Sequence, residues 1–299
     1  GWKINWNFRH TGVRKILKLM APAIFGGSVA QINLIIDTII ASFLMTGSIS
    51  WLYYSDRIIE FPLGVFGIAL ATAILPTLSR YATSGEMEDF RDTIQWAIKW
   101  AWLIALPSSL GIVILASPIL TTLFAYGQMS EYDIEQSVGS LIAYSLGLPA
   151  FILIKILAPG YFARQDIKTP VKIGVIALVT NVALNLIFVS FLAHVGLALA
   201  TSLSAWLNAG LLWTGLKKEG LVRQFLGYWY FFFRVVVASL VMVAFIRFFV
   251  QSPSVWYDWS ILERISRLII ILMSGAGAYF VVLYLLGIRL KDIGYLERE

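Results

Sequence analysis

Eight apolar segments, each long enough to cross a bilayer as a helix, follow one another along this chain with short connections between them. They fall at about 19–44, 51–80, 94–116, 137–160, 170–192, 195–216, 231–250 and 265–287, and a spanning helix needs about 20 residues. In hydrocarbon the backbone N–H and C=O groups must be satisfied within the segment, so such stretches become helices rather than open strands. The chain is 59% hydrophobic and 13% charged, whereas soluble domains run at about 45–50% and 25%. The expected fold class is therefore an all-α polytopic membrane protein with eight transmembrane helices.

The net charge of +6 invites a nucleic-acid reading, but the basic residues follow topology instead. Lys3, Arg9, Arg14, Lys15 and Lys18 form a basic leader over 1–18, and Arg80 and Arg91 flank the second connection. Arg164, Lys168 and Lys172 follow the fourth segment, and Lys217, Lys218, Arg223 and Arg234 the sixth, with Arg289, Lys291 and Arg298 in the tail. All of these lie on one side. The other side holds only Arg247, Arg264 and Arg267. The positive-inside rule then puts both termini in the cytoplasm, and no nucleic-acid partner is needed to account for the charge. There are no cysteines, which excludes disulfides and thiolate chemistry.

Within the second segment, at helical spacing, Tyr53, Arg57, Glu60, Gly64, Gly67 and Ala71 line one face. An arginine this deep costs about 2.5–3.5 kcal/mol on insertion scales, and such residues face a bundle interior or a water-filled cavity. Pairing of Arg57 with Asp56 or Glu60, or snorkelling, is the plainer alternative. The first segment carries Asp37 with Asn33 one turn before it, on a face shared with Gly26 and Ala30, and no basic residue in the span. Asp37 must be protonated, paired across helices or bound to a cation.

Asn181 and Asn185 share a face of the fifth segment, and Thr201, Ser204 and Asn208 lie at i, i+3 and i+7 in the sixth. Asp37, Asn181, Asn185 and Thr201 together offer oxygens that suit a hard cation. For Ser204 and Asn208 the expectation is ordinary hydrogen bonding between helices. Pro107 interrupts the third segment. Lys155, between Pro149 and Pro159, either snorkels or serves a cavity. The last two segments hold almost no internal polar residues and read as a peripheral pair. Three units follow: the leader 1–18, a six-helix lobe 19–216, and two further helices with a cytoplasmic tail over 217–299. No HExxH, G-x-S-x-G or phosphate-cradling glycine loop is present, so nothing supports an enzyme or ATP-driven transport.

At YYSDRIIEFPLGVFGIALATAILPTLSR (53–80), and again at LAPGYFARQDIKTPVKI (157–173), the sequence resembles the MurJ (MviN) lipid II flippases of the MOP exporter superfamily. The resemblance implies helices seven to fourteen of a fourteen-helix protein, that is, the second lobe and the terminal pair without a first lobe of six helices. It implies a bacterial inner-membrane transporter, not an enzyme, that moves the undecaprenyl-diphosphate-linked peptidoglycan precursor outward by alternating access. Arg57 matches a cavity arginine directed at the diphosphate, and Glu60 a polar cavity position. The last two helices match a groove for the polyprenyl tail. No cofactor is implied beyond a sodium ion, bound by some members within this lobe at positions similar to Asp37, Asn181, Asn185 and Thr201. A family carboxylate stands where this chain has Asn185. A related exporter of polysaccharide-lipid or drugs would share the helix count but lack the two quoted stretches. A non-transporting membrane scaffold would leave Arg57 and Asp37 dispensable.

Overall fold

The computed structural model describes residues 28–29, 31–222 and 229–289. The leader 1–18, Gly26 and Ala30 of the first segment, Arg223 and the tail from 290 onward lie outside the described residues.

Every regular element among the described residues is helical. The first helix, α1, is described over Gln31–Ser42. The chain turns at Gly47, whose φ of 105° no residue with a Cβ adopts easily, and enters α2 (Ser48–Pro62). Pro62 has no N–H for the carbonyl four residues back, and the ladder widens directly after it into a six-residue π-helical stretch, Leu63–Ile68. α3 (Ala69–Ser84) continues the same rod and stops at Gly85, again left-handed at φ 82°. The π stretch corrects the expectation of one continuous polar face. Its extra residue per turn shifts the phase, so Gly67 is buried against Ile152 and Lys155 of a neighbouring helix while Arg57 and Glu60 remain exposed.

α4 (Met87–Phe124) continues as one helix past Pro107 and Pro118. The expected interruption at Pro107 is absent because a membrane helix tolerates proline when neighbours satisfy freed groups. α5 (Glu131–Phe162) starts at a reciprocal cap between Ser130 and Asp133. The 51 residues of α6 (Lys168–Lys218) are two helical arms broken at Ala193, at φ 48° and ψ −129°. α7 (Trp229–Phe249), a short α8 (Pro253–Asp258) and α9 (Ile261–Leu285) complete the described chain.

Two cores result. The larger joins α2 to α6 around Leu78, Phe90, Leu148 and Tyr161. The smaller seats α7, α8 and α9 on α4 through Leu115, Val235 and Trp256. Small residues let the central helices close up. A Cβ on Gly147 would lie 2.8 Å from the Ser202 Cα, and the Ser202 hydroxyl donates to the Ala143 carbonyl at 2.7 Å. Six described helical rods are long and apolar enough to cross a membrane. Large apolar side chains such as Phe43, Phe191 and Phe248 point outward, as a lipid-facing shell requires. This is an all-helical, multi-pass membrane protein.

Candidate functional site

Arg57 projects from the outside of α2. Its Nη1 pairs with Glu60 Oε2 at 2.5 Å, and its guanidinium lies 4.8 Å from the centre of the Tyr53 ring. The Arg57 and Glu60 side chains are 45% and 49% exposed. Among the described residues neither bonds to another helix. The plainer pairing expected from sequence thus exists, yet it leaves a charged pair and Phe61 (72% exposed) on a face that no element among the described residues covers. Bare hydrocarbon is a costly neighbour for such a pair.

Asp37, on α1, is buried at 8% exposed. Its Oδ1 accepts from Asn185 Nδ2 at 2.6 Å, and its Oδ2 accepts from Asn33 Nδ2 and from the Thr201 hydroxyl, both at 3.2 Å. Asn185 Nδ2 also donates to Asn181 Oδ1 at 2.9 Å, and Asn181 Nδ2 reaches Thr201 Oγ1 at 3.1 Å. The break at Ala193 makes this possible, because it turns the second arm of α6 back along the first and brings Thr201 beside Asn181.

All four residues expected from sequence therefore meet. Asn33 joins them as a fifth; its one-turn spacing to Asp37 was the available signal. Asn185 Oδ1 is buried with no hydrogen-bond partner. Amide orientation follows the surrounding network, and with Asn181 reversed its nitrogen donates to Asn33 Oδ1 at 2.8 Å while its oxygen faces Thr201. No cluster of three or more His, Cys, Asp or Glu residues occurs among the described residues. The donor set is one carboxylate with amide and hydroxyl oxygens, the chemistry of hard cations.

Beside this cage lies a cavity of about 830 Å³ between α1, α3, α5 and both arms of α6. Asn33 and Thr201 line it, as do Ser204, Asn208 and Lys155 among apolar walls such as Phe151 and Leu178. This corrects the expectation for Ser204 and Asn208. The Ser204 hydroxyl turns back on its own helix, to the Thr201 carbonyl at 2.9 Å, and both residues line the cavity rather than bridge helices. Lys155 lines the cavity. Arg57 and Glu60 are not among the residues lining this space.

The same helical fold occurs in solved membrane transporters. A MATE transporter in complex with MaD3S overlays on 90% of this chain and 64% of its own at 20% identity, TM-score 0.54, a likeness of fold alone. A solved lipid II flippase MurJ in an inward closed conformation overlays on 94% of this chain and 55% of its own, at 26% identity and TM-score 0.75. The profile of the family described as lipid II flippase MurJ matches residues 1–266. A probable lipid II flippase MurJ from Vibrio cholerae is 48% identical over 288 residues, and the lipid II flippase MurJ of Burkholderia cenocepacia 38% over 286. The chain belongs to the MurJ family. It covers 96% and 94% of itself in those two alignments but 55% of each relative, so it spans about half the length of the curated relatives it matches.

Proposed function

We propose that this chain is the second half of a flippase that carries an undecaprenyl-diphosphate-linked peptidoglycan precursor across the bacterial inner membrane. In this reading eight helices cross the membrane: α1 with the residues before it, the α2–α3 rod, α4, α5, the two arms of α6, α7 and α9. Residues 19–216 are the six-helix lobe, 217–299 add the terminal pair, and both termini are cytoplasmic. The observation that carries the reading is the Arg57–Glu60 pair, half exposed on a membrane helix with none of the described residues over it. A first lobe of six helices would close that face into an aqueous chamber between the halves. There the Arg57 guanidinium, steadied by Tyr53 and Glu60, is free to take a substrate diphosphate through charge-assisted, forked hydrogen bonds. Alternating access then follows from rocking of the two lobes about the chamber.

The Asp37 cage is read as the binding site of a sodium-sized cation. Two observations support the fit: Asn185 Oδ1 is buried with no hydrogen-bond partner, and the carboxylate it neighbours has amide and hydroxyl groups but no cationic side chain against it among the described residues. Asp37, Asn181, Asn185 and Thr201 would hold it, and the ion would supply the charge that neutralises a buried carboxylate. Without it the amide N–H groups serve the carboxylate instead.

Precursor translocation by the full-length protein tests the substrate role. Arg57→Ala is expected to abolish translocation at near-normal membrane abundance, and Arg57→Lys to restore only part of it, because a point charge lacks the planar fork. Full activity of the alanine variant would reduce Arg57 to a structural residue.

A further inference from the structure

The cavity and the lysine in it are not absorbed by either role above. Lys155 lies within a membrane-spanning helix, is exposed into the cavity, and has no hydrogen bond or ion pair among the described residues. Its aliphatic stem passes over Gly67, where an added Cβ would stand 3.7 Å from Lys155 Cγ. The π stretch that turns Gly67 inward therefore makes room for this side chain.

On the facing wall, Thr201, Ser204 and Asn208 form a polar stripe along the second arm of α6, about 10 Å long by helical rise. One end of the stripe, Thr201, bonds Asp37 directly. The other runs toward Leu212, where the Tyr161 hydroxyl ties α5 to α6, and toward Phe162 and Ile167 at the connection between those helices. Asn33 and Thr201 thus belong both to the cage and to the cavity wall. A cavity with polar groups in a continuous row holds water, whereas a purely apolar one stays dry.

We infer that this cavity is the water-filled entrance to the Asp37 cage, and that Lys155, standing in it, sets how tightly a monovalent cation is held there. The inference rests on the cation reading of the cage. The ammonium stands in the cavity that meets the cage at Asn33 and Thr201. It repels an entering ion and lowers the occupancy of the cage without touching the ion. A lysine suits this because its flexible stem lets the charge retreat along the wall while remaining in the cavity. At the effective dielectric near 20 that fits charges within proteins, loss of one such charge about 12 Å from the ion strengthens cation binding by about tenfold.

Thermal stability of the full-length protein against sodium chloride, with choline chloride holding ionic strength constant, measures the effect. Sodium raises the wild-type midpoint by mass action. Lys155→Met is expected to reach half of that gain at about tenfold lower sodium, while Lys155→Arg, which keeps the charge, stays at the wild-type concentration. As a second arm, Asn208→Cys in a cysteine-free background should react with a membrane-impermeant, water-soluble maleimide added from the face that carries residues 163–167. An unchanged sodium midpoint in Lys155→Met, or an N208C thiol that no water-soluble reagent reaches, overturns the inference and leaves the cage reading standing. A wild type indifferent to sodium removes both.

Discussion

Asp37 receives three hydrogen bonds and touches no cationic side chain among the described residues, so its charge must be met by something other than a salt bridge. Asp37→Asn keeps the shape and removes the charge. In the full-length protein that variant is expected to lose the sodium-dependent rise in melting temperature, while its stability without sodium stays close to wild type; a rise of wild-type size would rule the carboxylate out as an ion ligand. Asp133 shows the opposite case, a carboxylate served at the protein surface ahead of the apolar stretch 137–160. The Ser130 hydroxyl, then Trp51 Nε1 at 2.9 Å, then the Ser130 N–H hold its pKa below the usual carboxylate value. A depressed folded pKa gives stability that is present above the unfolded value, about 4, and is lost as pH falls through the folded one. Asp133→Asn should therefore melt below wild type at pH 7, with the gap closing in acid below about pH 4. A gap that persists unchanged in acid would mean the charge is irrelevant there.

The apolar segments were legible in the sequence because hydrocarbon leaves a backbone so few options, and the structure places helices at each within the described residues. Less legible was anything set by a shift in phase. The face drawn from Tyr53 to Ala71 assumed 3.6 residues per turn throughout, and the π stretch at Leu63–Ile68 breaks that count. Pro107 looked like a break and is not one, whereas the break in α6 at Ala193 falls in the gap between the fifth and sixth apolar segments, 170–192 and 195–216. The cage was readable because each helix declares itself by polar residues one turn apart, Asn33 with Asp37 and Asn181 with Asn185. The cavity beside it was not, because Ser204 and Asn208 look the same from sequence whether they bridge helices or face water. Packing at this scale hinges on small residues. Gly147→Ala drives a Cβ to 2.8 Å from the Ser202 Cα, a backbone atom that has nowhere to go. Overpacking of this kind costs about 1–3 kcal/mol, so the variant should melt several degrees lower in detergent. An unchanged melting temperature would mean α5 and α6 separate easily.

For the molecule as a whole, the two cores divide the labour. The larger core holds the lobe with its cage and cavity, and the smaller one attaches the terminal pair through α4, where the Tyr279 hydroxyl donates to the Leu103 carbonyl at 2.7 Å. The chain nonetheless ends in an open question of surface. One face of α2 presents Tyr53, Arg57, Glu60 and Phe61 outward, and the MurJ relatives are nearly twice as long as this chain. The central claim is that this face looks into a hydrated chamber between two lobes. Phe61 lies one turn beyond Arg57 on that face and spares the arginine. The most direct measurement is thiol labelling of Phe61→Cys in the cysteine-free full-length protein, with a charged, water-soluble maleimide and with a lipid-soluble one. The expected result is rapid reaction with the charged reagent, slowed by the diphosphate-linked precursor. Reaction with the lipid-soluble reagent alone, unaffected by the precursor, would place the face in lipid and contradict the account.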